Sequence, residues 1–262
     1  MSKKSTSWLY MLEPQMGKPR SYLFGTMHLV CAERYQWPPN IDDILAEVGT
    51  VYLETDITRG PGFSLQSLRS DWFASLSEHQ KSMLMAFNQM HWQIPERDLE
   101  QMHPFYLLAQ LQVDLFECRT MALDQELMIR AEAQGKTLCS LESFDEHIQT
   151  IDKVSTVEYV NQLLYCIGNY REVKEGLSAL IEFYHNGQVE EIESLFQKWS
   201  WIMLPSAVES AFITDRNLRW LPVMERAMEE GSTLFAVGAA HIMGDQGILS
   251  LLRNKHYTIQ ML

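Results

Sequence analysis

Several things are missing from this chain, and each omission removes a class of function. There is no Cys-x-x-Cys pair: the four cysteines, Cys31, Cys118, Cys139 and Cys166, lie far apart in sequence. That excludes closely spaced thiol motifs for metal or redox work. Cysteines so scattered are expected to stay reduced and to pack as small apolar side chains. There is no Gly-x-Ser-x-Gly elbow, no glycine-rich phosphate loop and no His-Glu-x-x-His helix. Serine hydrolases, nucleotide-binding enzymes and ordinary zinc proteases normally show one of these, so all are disfavoured. No apolar run reaches the ~20 residues of a membrane span. The polar Met1–Ser7 is followed only by Trp8–Met11 before Glu13-Pro14, so no signal-peptide core is expected. The chain as given is expected to be soluble and cytoplasmic, and a chain whose secretion signal had been removed would read the same way.

Positive charge is also scarce. Lys and Arg number 21 against 34 Asp and Glu, a formal net charge of -13. Such a surface repels phosphate backbones and anionic lipid, so neither nucleic acid nor membrane insertion is expected, while a cation is compatible. The chain has 262 residues, 46% of them hydrophobic and 21% charged. This is an ordinary globular composition, richer in large apolar residues than a disordered chain. A homo-oligomer stays open.

What is present is a repeated phrase. Ser21–Leu29 and Thr233–Ile242 are each a strand-forming run followed by Gly-x-x-His, with Gly25 and His28 in the first and Gly238 and His241 in the second. Glycine at that point permits positive φ or the close approach of a ligand. A strand that meets such a glycine delivers its histidine at the sheet edge. Two deliveries from opposite ends of the chain imply one shared site, where two imidazoles could hold a metal. Taken singly, each histidine has a plainer reading, as a partner of a buried loop carbonyl, and each glycine as an ordinary turn residue.

The surroundings give the repeat a frame. Trp8–Leu12 and Ser21–Phe24 flank a turn-rich stretch and read as a β-hairpin. Pro38-Pro39-Asn40 starts a helix over Ile41–Val48, with Asp42 and Asp43 in its first turn and Gly49 as its stop. Thr50–Leu53 is a strand ending at Glu54. Strand, helix and strand make a βαβ crossover, which implies a parallel pair with ligands bound at the carboxyl ends. Residues 66–135 read as helical: Ser77 caps Glu78–Met90, Pro104 opens Phe105–Leu115, and Gly135 ends Asp124–Gln134. Lys136–Leu141 is a strand that stops at Glu142. Residues 144–230 are helical again, interrupted at Gly168, Gly187, Pro205 and Pro222. Strand, loop, helix and strand then recur over Thr233–Met261. The fold class expected is α/β. Two related βαβ units, residues 1–60 and 231–262, form a mixed central sheet. A mainly helical insertion over about 61–230, with one strand near 136–141, lies between them. No Pro/Ser-rich linker separates the parts, so a single domain is expected.

His28, His241 and Glu54 are all expected on one rim. Two histidines and one carboxylate with open positions form a common catalytic pattern for zinc, iron or manganese. Asp56 would share a face with Glu54 on a continuing strand, or be a solvated loop acid. Arg216 could stabilise an oxyanion, or pair with a neighbouring acid. Asp124 and Glu142 are acids at element ends, structural by default, or supports that orient a histidine. His79, His91, His103, His147, His185 and His256 lack the strand and glycine context and read as surface or packing residues. Trp199, Trp201 and Trp220 pack the helical insertion or line a substrate groove, and Met83, Met85 and Met90 fill core.

Together these motifs resemble a known family. Tyr22–His28 followed by Tyr52–Asp56 looks like the opening signature of the TraB/GumN family, and Val237–Ile248 like its closing one. Leu123-Asp124, Gly135-Lys136, Leu141-Glu142-Ser143 with Gln149, and Arg216-Asn217 with Trp220 fall in the family's order. The family often has glycine two residues before this aspartate, where Ala122 stands here. The family includes proteins that block peptide-pheromone signalling. It is similar to the Tiki proteases, which depend on manganese or cobalt, and more distantly to erythromycin esterases and a haem-binding lipoprotein. The resemblance implies an α/β fold and a hydrolytic site dependent on a divalent metal (Mn, Co or Zn). It marks His28, His241 and Glu54 as metal ligands, Glu54 and Arg216 as catalytic, and Gly25, Gly238, Asp124 and Glu142 as supporting. Three functions are carried forward: a metal-dependent hydrolase of peptides, a protein that sequesters a peptide or small ligand without chemistry, and a hydrolase of a non-peptide ester.

Overall fold

Strand-forming runs from both ends of the chain meet in one sheet. The structure, a computed structural model, describes residues 8–13, 19–55, 71–198 and 206–262. The strands are β1 (Leu9–Glu13), β2 (Ser21–Thr26), β3 (Val30–Cys31), β4 (Thr50–Thr55), β5 (Thr120–Met121), β6 (Thr137–Glu142), β7 (Thr233–Gly238) and β8 (Thr258–Met261). Six of them form a mixed sheet in the order β6-β4-β7-β2-β1-β8, and β3 and β5 form a separate antiparallel ladder. β2, β7, β4 and β6 run parallel, and β1 is antiparallel to both β2 and β8. The fold is therefore mixed α/β, as expected.

The expected crossover is there with its pairing altered. β2 and β4 run in one direction but do not touch, because β7 lies between them and pairs with both. The reason lies in composition. Thr233–Val237 is an unbroken apolar and β-branched run, and all five residues are buried. A strand apolar on every side is stable only with parallel neighbours and cover on both faces, the central place in such a sheet. β2 is likewise buried throughout, whereas β8 at the edge keeps three of its four residues exposed.

The helices are α1 (Ile41–Glu47), α2 (Glu78–Phe87), α3 (Glu96–Gln101), α4 (Pro104–Asp114), α5 (Leu123–Ala133), α6 (Phe144–Lys153), α7 (Thr156–Gly168), α8 (Tyr170–His185), α9 (Val189–Lys198), α10 (Ser206–Glu209), α11 (Asp215–Glu230) and α12 (Ile248–Asn254). α1, α5, α11 and α12 place Ile44, Leu45, Leu127, Trp220, Met224 and Leu252 in the same core as the sheet. A second core, with Leu84, Phe87, Leu107, Leu111 and Leu163, joins α2, α4 and α7. A third, with Ile148, Ile151, Tyr159 and Ala211, sits beneath α6.

Local chemistry sets most boundaries. Ser77, Ser143 and Ser155 each open a helix with a full capping box, closed by Gln80, Glu146 and Glu158. Gly168 is the last residue of α7, and Gly187, at φ 62°, turns the chain between α8 and α9. Pro222 does not interrupt α11 as expected. It sits on the exposed face of a helix that continues to Glu230, where the carbonyl it leaves without a partner can turn to water.

The cysteine expectation is corrected. Cys31 and Cys118 are joined in a disulfide with Cα atoms 5.6 Å apart, while Cys139 and Cys166 remain free. The partners are 87 residues apart, so their sequence spacing gave no sign of the pairing. Among the described residues, no helix is long and apolar enough to cross a membrane.

Candidate functional site

Four parallel strands end on one rim. Thr26 lies opposite Gly238 where β2 and β7 finish, and Thr55 lies opposite Glu142 where β4 and β6 finish. Loops leaving the carboxyl ends of parallel strands line the usual ligand crevice of such sheets. The sequence candidates stand at this rim: His28 just past β2, Glu54 near the end of β4, Glu142 closing β6, and His241 just past β7.

The glycines act by smallness rather than by unusual backbone angles. Gly238 has φ -53°, open to any residue, and Gly25 is not in the left-handed region either. A Cβ on Gly238 would stand 3.2 Å from Oε1 of Glu54, and one on Gly25 would stand 2.8 Å from Cδ1 of Ile242. Of the two roles expected for these glycines, positive φ is not realised, and the close approach they allow here is that of the Glu54 and Ile242 side chains.

The centre of the rim is an arginine between two carboxylates. Arg216, delivered by the first turn of α11, is 4% exposed, as is Glu142. Its Nη2 donates to Oε2 of Glu54 and to Oε1 of Glu142, each at 2.7 Å, and its Nε donates to Glu142 at 3.1 and 3.2 Å. Nη1 lies 3.2 Å from Nε2 of His241 and 3.5 Å from the Phe212 carbonyl. The guanidinium plane also lies over Trp220, with Cζ 4.4 Å from the ring centre. A π-helical turn over Ser210–Thr214 leads into α11 and contains Phe212. Such turns recur at functional sites.

Glu142 collects further donors: Trp220 Nε1 at 3.3 Å, Thr55 Oγ1 at 3.2 Å, Arg219 Nη2 at 3.4 Å, and His147 Nδ1 at 3.2 Å. Burial alone would push its pKa up, but the His147 and Arg216 contacts outweigh it and hold the carboxyl well below the usual range. Glu54 is also buried. Its Oε1 accepts from the Gly238 backbone N–H at 2.6 Å. Burial is again opposed, here by the Arg216 charge, His28 and that N–H, and the net shift is downward. Both acids are therefore carboxylates at neutral pH.

His241 is fixed as a neutral ring with a defined tautomer. Asn217 Nδ2 donates to the carbonyls of His241 and Gln246, at 3.0 and 2.9 Å. The Asn217 oxygen therefore faces Nδ1 of His241 at 2.7 Å, and Nδ1 must carry the proton. Nε2 keeps its lone pair and lies 3.7 Å from Oε1 of Glu54. Burial, only partly offset by Glu54, lowers the His241 pKa from its ordinary 6.5 to about 4. A histidine held neutral in the fold stabilises it fully above the ordinary pKa and progressively less as pH falls toward the folded one. Between pH 6.5 and 4 the chain is expected to lose about 3 kcal/mol of stability through this ring. Denaturant melts at stepped pH values check this. His241→Gln flattens that limb, and an unchanged limb in this variant would assign the loss elsewhere.

His28 forms a second pair nearby. Its Nδ1 lies 3.3 Å from Oδ2 of Asp124, whose Oδ1 accepts from the Thr26 hydroxyl at 2.6 Å. The His28 side chain is 78% exposed and that of Asp124 19%. The hydrogen bond to Asp124 raises the His28 pKa, and solvent screens part of that pull at so exposed a ring. The charge of Glu54 also raises this pKa and that of Arg216 lowers it.

The structure thus brings Glu54, Arg216, His241, Glu142 and Gly238 into direct contact, and joins His28 to Asp124 beside them. Asp56, Trp199, Trp201 and Pro205 lie outside the described residues. Three participants were not among the site residues expected from sequence. His147 stands one turn into α6, where its distance from the strand end is visible only once β6 and α6 are folded. Trp220, read as packing the helical insertion or lining a groove, packs on His241 with ring centres 4.5 Å apart. Asn217 follows Arg216 directly, and that adjacency was the available sign of a shared role.

The donor set was tested against a resident metal. Among the described residues, no group of three His, Cys, Asp or Glu side chains is arranged to hold one. The lone pair of His241 Nε2 faces a guanidinium, and both Glu54 oxygens accept protein hydrogen bonds. His28 is paired with Asp124. As arranged, these residues do not fit a metal ion.

The model of the TraB/PrgY/gumN family matches residues 10–261, nearly the whole chain. No curated protein and no solved structure matches it significantly.

Proposed function

We propose, from the premise that this chain belongs to the TraB/PrgY/gumN family, that it is a hydrolase of acyl bonds, with peptides as its first substrate class. The observation that carries the reading is the His28–Asp124 pair. It comprises an exposed imidazole, a carboxylate on Nδ1 that sets the tautomer, and a hydroxyl that sets the carboxylate. In the neutral form, Nε2 of His28 is free to take a proton from water, and it returns that proton to the leaving group. Asp124 orients the ring and stabilises the imidazolium. Every Arg216 N–H faces a protein acceptor, so Arg216 offers an oxyanion no dedicated hydrogen bond and serves instead to hold Glu54 and Glu142 in place at the rim. Glu54 and His241 hold that guanidinium at the rim.

A panel of peptides and simple esters, each incubated with chelator and separately with manganese, cobalt or zinc, tests the reading. Turnover that survives chelator supports it, and no turnover under any condition sinks it. The hydrolysis rate is expected to rise with pH as His28 loses its proton. In Asp124→Asn the midpoint of that rise moves to lower pH, because the raising partner is gone, and the plateau falls about 10²-fold or more. A midpoint that stays put would separate Asp124 from the chemistry.

One observation favours a metal-assisted variant. His241 carries its proton on Nδ1, held by Asn217, the tautomer in which a metal-bound imidazole is usually kept. In this variant His28, His241 and Glu54 would hold the ion after Arg216 had withdrawn from Nε2. Manganese, cobalt or zinc then raises the melting temperature of the wild type and leaves that of His241→Gln unmoved.

A further inference from the structure

The loop that carries His28 is closed by a small device of its own. β2 ends at Thr26, and the chain then runs through Met27, His28 and Leu29 into β3. β3 pairs with β5 in a ladder of only two residues a side, Val30 opposite Met121 and Cys31 opposite Thr120. Asp124 follows β5 directly, in the first turn of α5. This ladder is what sets His28 against Asp124, but so short a ladder is marginal by itself.

The covalent bond lies beside it. Cys31, in β3, is joined to Cys118, two residues before β5 begins. Ala32 N–H donates to the Arg119 carbonyl at 2.9 Å, and Arg119 Nε donates to Glu33 at 3.1 Å.

The two halves of the pair are anchored unequally. Asp124 rides on α5, whose Leu123, Leu127 and Ala131 are all 0% exposed, and it accepts from Thr26 at the end of a buried strand. His28 sits on an exposed loop with a hydrogen bond to Asp124 as its polar anchor. Opening the bridge would free the histidine and leave the aspartate in place.

We propose that the Cys31–Cys118 disulfide positions His28 against Asp124, so that the hydrolysis proposed above depends on this bond being closed. The inference rests on that reading for its effect on rate, but its geometric part stands alone. Reduction by a dithiol breaks the S–S bond with two electrons and two protons, leaving two thiols and the reductant as a cyclic disulfide. Cys31 is buried and Cys118 half-buried, so a small reductant reaches the bridge from the Cys118 side.

The test compares the oxidised wild type, the wild type reduced with dithiothreitol, and the Cys31→Ser/Cys118→Ser chain, all at one fixed pH. Alkylation after denaturation, with mass measurement, counts two free thiols before reduction and four after it. Ring ¹⁵N spectra are expected to show His28 with its Nδ1 proton shared with Asp124 in the oxidised protein and as a free imidazole in the other two. For any substrate turned over, kcat falls at least about tenfold with KM within about twofold, the signature of lost orientation rather than lost binding. Reoxidation restores both. An unchanged His28 spectrum on opening the bridge overturns the proposal. Should the double-serine chain fail to fold, the reduced wild type decides, and if that unfolds too, the bond serves the fold and the proposal is wrong. If the oxidised protein cleaves nothing, the hydrolase reading fails while the ring spectrum still judges this one.

Discussion

Arg216→Met is expected to abolish hydrolysis and to cost about 3–5 kcal/mol of stability at neutral pH. Methionine matches the aliphatic stem of arginine and lacks the guanidinium, so the loss is chiefly one of charge and donors. Glu54 and Glu142 would both remain buried, with their shared cation removed from between them. Glu142 keeps His147, Arg219, Thr55 and Trp220, and Glu54 keeps the Gly238 N–H. Neither set cancels two negative charges in one pocket. Both carboxyls would then rise toward their ordinary range and take up protons more readily than in the wild type. The deficit of the variant therefore narrows as pH falls, while the wild type is losing stability over the same range. Arg216→Lys retains a charge but not the planar fork that serves both acids at once, so it falls between the two. Denaturant titrations at neutral and mildly acid pH decide this. A variant within about 1 kcal/mol of wild type at neutral pH would mean that the arginine is not the keystone of the rim.

His28→Ala is expected to lower kcat by about 10²–10⁴-fold and to leave the melting temperature nearly unchanged. The dissociation of the two effects follows from exposure. Arg216 is 4% exposed and its removal opens the core, whereas the His28 side chain is 78% exposed and supports nothing above it. A substituted His28 that still turns substrate over within a few-fold of wild type would leave the acid–base assignment without its residue. Loss of stability with little change in rate would make His28 a structural partner of Asp124 instead.

The sequence was most legible where local rules hold. Ser77 with Gln80, Pro104 at the start of α4 and Gly135 after α5 each announce a boundary by side-chain chemistry, and each boundary lies where expected. The rim was legible because strand ends can be read from apolar runs, so Glu54, Glu142 and the two Gly-x-x-His segments could be placed at one edge. What was hidden depends on chain paths between distant segments. The insertion of β7 between β2 and β4 cannot be read from either segment alone, since a crossover of the same hand reaches an adjacent strand or the next one. The Cys31–Cys118 bond was hidden for the same reason, as were the pairing of His28 with Asp124 and that of Glu142 with His147. Arg216 was visible as a residue, but only the fold shows that its donors are spent on two carboxylates. That saturation is also why three good ligand types on one rim are not free to hold an ion in this arrangement.

The placing of β7 has a consequence for how the protein is made. A ribosome releases β1, β2, β4 and β6 long before residues 233–238 emerge, so a nascent chain that had already laid out these strands would hold β2 and β4 with a strand-wide slot between them. Both borders of that slot are rows of unpaired peptide groups, apolar on either side, which is the surface most prone to recruit a stray strand from another molecule. Closure comes in one late step, and the same step delivers the Gly238 N–H to Glu54 and His241 to Asn217. Translation that stalls upstream of β7 would therefore leave an unsealed sheet in need of a chaperone, without the Gly238 N–H and His241.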